Sequence, residues 1–233
     1  MQNNAYIKHI VNPSVLYLMW KDKDGSRHKV GELFPEHFDY LSSDDPGMIA
    51  AKEKGFEGFP AFNIDVQVHS NPLPVFIRRC PPKDRRDFDD YLKAFALDPD
   101  SDEVRNIPDF TLLGYTGSYI TANPFNLINP FKTIQPPFEF VMQVAGANNY
   151  LKNFDIQTLV GETLFTEQET TNKHDHHAVI LKLNHQTFGY IPRGLNHSFI
   201  EWMNKKWIKK ITIRRINGQP DHRYAYVFVE IGN

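Results

Sequence analysis

Three prolines within nine residues, Pro130, Pro136 and Pro137, interrupt the chain just past its middle. Each lacks a backbone donor, fixes φ near −65° and disfavours helix at the residue before it. Asn129-Pro130-Phe131-Lys132-Thr133-Ile134-Gln135-Pro136-Pro137 therefore excludes a continuous helix, and predicts a domain boundary or an extended crossing. The expectation is a domain over residues 1–130 and a second over 138–233, both long enough to bury a core.

Charge divides at the same place. Residues 138–233 hold 11 Lys/Arg against 9 Asp/Glu, a balance of +2, whereas residues 1–137 hold 15 against 19, a balance of −4. The whole chain stands at −2, which gives no strong overall attraction to a polyanion, so any nucleic-acid binding has to come from a local patch. An apolar share of 41% excludes wholesale disorder. No apolar run approaches the roughly 20 residues needed to span a bilayer, and residues 1–10 lack the basic start and apolar core of a secretory signal. Cys80 has no second cysteine to pair with, which suits a reducing compartment. A cytoplasmic protein without a membrane partner is expected.

Local patterning predicts an α+β chain. Val15 to Trp20 and Lys29 to Leu33 read as a hairpin around the turn Lys21-Asp22-Lys23-Asp24-Gly25. Pro46 to Gly55 reads as a helix capped by Asp44 or Asp45, and Asp84 to Leu97 as a helix with Phe88, Tyr91, Leu92 and Phe95 inward. Phe110 to Tyr115 suits a turn of helix or a strand equally. The second part is richer in β pattern, with strands expected at 138–145, 161–167, 178–183 and 187–191. A helix follows over 192–204, with Ile200 and Met203 inward, and then strands at 207–216 and 223–231 around an Asn217-Gly218 turn. Many short strands with one or two helices predict a small, partly closed barrel.

Few residues point to catalysis. Cys80 lies among Arg78, Arg79 and Lys83, cations that favour a thiolate, but it has no local base, and a small core residue explains it as well. Arg78, Arg79, Arg85 and Arg86 are matched by Asp84, Asp87, Asp89 and Asp90. His174, His176 and His177 around Asp175 suit zinc in residue type but not in a defined ligand spacing, and a turn into the next strand accounts for them equally. Phosphate-binding glycine loops and serine elbows are absent. No catalytic residue, metal or cofactor is assigned, and the chain is expected not to be an enzyme.

The basic run is more informative. Lys205, Lys206, Lys209, Lys210, Arg214 and Arg215 occupy eleven residues without an acidic one. Strand alternation puts Trp207, Ile211 and Ile213 on one face, and Ile208, Lys210, Thr212 and Arg214 on the other, extended by Lys206. Such a face can track a nucleic-acid backbone, while lysines on an edge strand also deter aggregation, and the residues alone leave both readings open.

Four segments carry a family resemblance: Val144-Ala145-Gly146-Ala147-Asn148-Asn149-Tyr150, Gly161-Glu162-Thr163-Leu164, Asn172-Lys173-His174-Asp175-His176-His177-Ala178-Val179 and Phe188-Gly189-Tyr190-Ile191-Pro192-Arg193. In this order they resemble the HIRAN domain, which implies an OB-like β-barrel over 138–233 that binds single-stranded DNA or a DNA 3′ end. By position Asp175 matches an aspartate that accepts from the 3′-hydroxyl, and His174 replaces an aromatic residue that flanks the terminal nucleotide. Asn148 and Asn149 stand where the family has arginine and tyrosine, leaving Tyr150 as the nearest aromatic. With Tyr190, Arg193, Lys206, Lys210 and Arg214, these residues make up the expected nucleic-acid site.

The first part resembles something else. Leu18-Met19-Trp20, Val30-Gly31-Glu32-Leu33, Phe38-Asp39-Tyr40, Val75-Phe76-Ile77-Arg78-Arg79 and Asp109-Phe110-Thr111-Leu112-Leu113-Gly114-Tyr115-Thr116-Gly117 look like the N-terminal subdomain of HipA toxin kinases. That resemblance implies a small α+β domain over 1–130 without the catalytic core. The expectation is a non-enzymatic nucleic-acid-binding accessory protein. Its alternative is an antitoxin-like regulatory protein that docks a HipA-type kinase; a helicase or nuclease is a further possible partner.

Overall fold

The chain divides between Ile134 and Gln135, within a stretch where residues 129–137 form neither helix nor strand. The computed structural model describes residues 5–118, 123–172, 175–219 and 221–233. One compact unit holds residues 11–91 and 99–134; the other holds 135–233 together with 92–98 and the residues up to Ile10. Two short pieces of the first part thus fold with the second.

In the first unit, β1 (Leu16–Lys21) and β2 (Arg27–Leu33) form the expected hairpin, followed by β3 (His37–Tyr40) and α1 (Pro46–Glu53). Asp45 caps α1, accepting from the backbone N–H groups of Gly47 and Met48. Then come β4 (Val68–Ser70), α2 (Leu73–Ile77), α3 (Phe88–Ala94), which runs into residues of the other unit, α4 (Asp102–Arg105), α5 (Asp109–Thr116) and β5 (Phe125–Ile128). The five strands form one antiparallel sheet, ordered β4-β3-β2-β1-β5. Leu16, Leu18, Val30, Leu33, Phe38 and Phe76 are fully buried in its core. The helix expected over 84–97 is shorter because residues 82–88 wind through three-residue turns, Arg85 N–H to Pro82 O and Phe88 N–H to Arg85 O.

The hairpin turn is fixed by Asp22, whose carboxylate accepts from Ser26 N–H at 2.8 Å and faces His28 Nε2 at 2.9 Å. Burial works against its charge, but His28 and the turn N–H groups outweigh it and hold the carboxyl below its ordinary range. Asp22→Ala is expected to destabilise this unit by about 2 kcal/mol. A group with a lowered folded pKa contributes fully above its unfolded pKa and loses the contribution as pH falls through the folded one. The gap between the variant and the parent in urea melts should therefore be constant from pH 5 to 7 and narrow only below about pH 4. A gap that stays unchanged down to pH 2 would refute the role of the charged carboxylate.

The second unit begins with β6 (Phe138–Gln143), α6 (Ala147–Leu151) and α7 (Ile156–Leu159). It continues with β7 (Phe165–Glu169), β8 (Ala178–Leu183), β9 (Gln186–Tyr190), α8 (Asn196–Lys205), β10 (Ile208–Gln219) and β11 (His222–Ile231). These strands make two antiparallel sheets, β10-β11-β6 and β7-β8-β9, and not the single barrel expected. The sheets meet at two seams, each with one bridged pair, Ala145 with Tyr190 and Thr163 with Thr212. Among the described residues no continuous ladder closes the ring. Gly146 at φ +67° and Gly161 at φ +98° take the chain out of strand geometry between the seams, where α6 and α7 form in place of strand.

Other expectations shift here. The strand sought at 161–167 begins only at Phe165, because residues 161–164 are spent on the seam. Helix α8 starts four residues later than expected and turns Phe199 and Trp202 inward, leaving Ile200 and Met203 half-buried. Trp202 packs on Phe138, Phe140 and Phe199 at ring distances of 5.5, 6.0 and 5.1 Å. Asn217 and Gly218 lie within the β10–β11 ladder, paired with Tyr224 and Arg223, and the pairing runs on to Gln219 with His222, so they do not form the turn. Gly218 serves close approach instead: a Cβ there would stand 2.1 Å from the His222 carbonyl oxygen.

Candidate nucleic-acid interface

Residues from three of the four motif segments converge at one end of the β7-β8-β9 sheet. Backbone bonds between Ala145 and Tyr190, at 2.8 and 2.9 Å, bring the start of α6 to the end of β9. Tyr150, on the last turn of α6, then meets Tyr190 with ring centroids 6.1 Å apart. Tyr190 OH donates to Glu169 Oε2 at 3.2 Å, and the Asn172 amide donates to the same oxygen. Burial first, then the Tyr150 hydrogen bond and the Glu169 carboxylate, push the Tyr190 phenol well above its ordinary pKa. It stays a neutral donor.

Asp175 continues the chain of contacts. Its backbone N–H donates to Asn172 Oδ1 at 3.1 Å, and its own Oδ1 accepts from His177 N–H at 2.9 Å, a tight turn into β8. Its Oδ2 accepts from the Asn196 amide at 2.7 Å and lies 3.6 Å from Arg193 Nε. The Asp175 side chain keeps 21% of its surface exposed. The carboxylate therefore organises a turn, an arginine and the start of α8 while one side of it meets solvent.

The remaining site residues divide. Asn149 is exposed on α6. Asn148, also exposed, ties α6 to the β10–β11 turn by donating to Asp221 O and accepting from Arg223 N–H at 2.8 Å. His174 lies outside the described residues. His177 packs on His197 with centroids 4.5 Å apart, and among the described residues no three His, Cys, Asp or Glu side chains cluster as metal ligands.

The basic run does not act as one row. Register shifts at Ile208/Lys210 and Ile213/Arg215 mark two bulges, and the second makes Arg214 the extra residue and re-aims it. Arg214 donates to Ala5 O at 2.7 Å and Lys93 O at 3.1 Å, which removes it from the expected cationic face. Arg215 lies over the Tyr226 ring at 4.0 Å, and burial lowers the pKa of both arginines. Lys205 pairs with Glu201 at 2.6 Å. Lys206, Lys209 and Lys210 are exposed and are the cations of the run that remain available.

In the other unit, Arg79 donates to Phe125 O at 2.7 Å and Arg85 pairs with Asp87. Cys80 is buried, and burial pushes its thiol up, the opposite of what its basic neighbours suggested. Sequence reasoning missed Glu169, Asn196 and Phe165. A signal for Phe165 was present: it shares strand parity with Glu167 and Glu169, so a solvent-facing aromatic was readable there.

What the geometry defines is a half-buried aromatic and carboxylate cluster on a small antiparallel β unit, with Lys209 and Lys210 exposed on β10 and Lys206 exposed at the end of α8. No known family's sequence model matches the chain, and no curated protein is similar to it. Among solved structures it is similar to the crystal structure of the HIRAN domain of human HLTF, at 13% identity and a TM-score of 0.32, covering 40% of this chain and 74% of that one. None of these findings bears on the kinase-subdomain resemblance of the first part. Among the described residues no helix is long and apolar enough to cross a membrane.

Proposed function

We propose that this protein is a non-enzymatic nucleic-acid-binding accessory protein whose second unit holds the free end of a DNA single strand at Tyr150, Tyr190 and Asp175. The observation that carries this is the convergence itself. Tyr150, Tyr190, Asp175 and Arg193 come from segments that share a motif order, and the fold gathers them at one partly exposed place. The tyrosine rings offer a stacking surface and Arg193 a phosphate-binding fork. Asp175 accepts two hydrogen bonds already, yet a carboxylate has about four lone-pair sites, which leaves acceptor capacity for a ligand hydroxyl.

Fluorescence anisotropy with labelled single strands ending in 3′-hydroxyl or 3′-phosphate tests this. Binding should favour the hydroxyl by about tenfold, since a terminal phosphate meets the Asp175 charge. Replacing Lys206, Lys209 and Lys210 by alanine should lower the slope of log K against log salt by about 0.7 for each phosphate no longer neutralised. Arg214 is unsuited to this test because its replacement would also break hydrogen bonds to the backbone. Equal affinity for both ends would remove end recognition, and no binding at low salt would remove the function.

A further inference from the structure

Among the exposed large hydrophobic residues Phe165 stands out, with 68% of its surface in solvent. It opens β7, an edge strand whose pairing register fixes what shares its face. Glu167 lies opposite Ile180, and Ile180 opposite Tyr190, so Phe165, two residues before Glu167, is on the Tyr190 side of the sheet. Lys182 is directly opposite Phe165 on β8, where its ammonium is paired with Glu167 at 2.6 Å.

The other flank is set by the second seam. Thr163 is bridged to Thr212, and Leu164 N–H donates to Ile211 O. In that antiparallel register Lys210 occupies the position across from Phe165. Ile211 and Ile213 are buried, which assigns Lys210 to the outer side. An exposed ring thus has a lysine position on each flank, and the Lys210 side continues to Lys209 and Lys206. Two strand spacings and two residues along a strand separate Phe165 from Tyr190 by about 12 Å, a gap that a few nucleotides bridge.

Resting on the reading that the tyrosine and Asp175 cluster holds a strand end, we propose that Phe165 is a second stacking position, taking a base further along the same strand while Lys210 meets an adjoining phosphate. Charge selects the occupant: an aromatic ring beside the exposed Lys210, with Lys209 and Lys206 beyond it, suits a polyanion with planar bases better than an apolar protein surface. Because every base has a π face, this position tolerates any sequence.

The test uses the full chain and its Phe165→Ala, Phe165→Leu and Phe165→Trp variants, with 3′-hydroxyl dinucleotides and dodecanucleotides of mixed sequence. Phe165→Ala should weaken the dodecanucleotide by about tenfold and leave the dinucleotide unchanged. Phe165→Trp should restore the affinity and Phe165→Leu should not. So exposed a side chain contributes little to folding, and unchanged melting curves would establish that. Parent-like binding of the dodecanucleotide by Phe165→Ala, or an equal loss for both ligands, would overturn the second position while leaving end binding in place. Failure of the parent to bind either ligand would overturn end binding and this position with it.

Discussion

Gly189→Ala should destabilise the second unit by about 3 kcal/mol and weaken oligonucleotide binding more than tenfold. A Cβ at Gly189 would stand 2.4 Å from Val144 Cγ1 and 2.9 Å from Ala145 O, closer than carbon and oxygen tolerate. The atoms it strikes belong to the seam that sets Tyr150 against Tyr190, where Ala145 O accepts Tyr190 N–H at 2.9 Å. The methyl group cannot be accommodated by rotating a distant side-chain end, so the seam has to open. Thermal melts and anisotropy would be read together. A variant that melts and binds like the parent would show that the seam does not hold the aromatic pair.

Asp175→Ala is expected to have the next largest effect, about 2–4 kcal/mol together with loss of end preference. It leaves the Asn196 amide, buried at 5% exposure, without its acceptor and takes the carboxylate away from Arg193. The Asn196 Oδ1 is also buried without a hydrogen-bond partner among the described residues. Asp175→Asn should recover the turn to His177 N–H but set one amide group against another at Asn196, so part of the stability loss should persist. If Asp175→Ala folds as stably as the parent yet loses end preference, the residue serves the ligand alone. Full stability with full preference would exclude it from the site.

What could be read from the sequence was what depends on near neighbours. The Asp45 cap, the β1–β2 hairpin, β8 and the pairing of β10 with β11 all follow from alternation or capping within a dozen residues. Strands of three or four residues, such as β3 and β4, carry too little periodicity to stand out. Nor does local pattern reveal α6 and α7, whose formation turns on left-handed glycines beside them. Of the site, Asp175 and Tyr190 were found through motif order, while Glu169 and Asn196 needed the fold to bring them in. The misreading of Arg214 has the same origin. Alternation holds only until a bulge, and the carbonyl groups it reaches, at Ala5 and Lys93, lie more than 100 residues away in the chain.

That a few early residues belong to the later unit has a temporal consequence. Ile7 N–H can reach Ala96 O as soon as both have been made, but Glu139, which accepts from the N–H groups of Lys8 and His9, leaves the ribosome much later. Arg214, holding Ala5 and Lys93, follows later still. The residues of the first unit, complete by Ile134, can settle during translation, whereas residues 5–9 must wait for Glu139 and Arg214. A fragment cut at the prolines would lose those strips of backbone, so the second unit is better studied in the uncut chain.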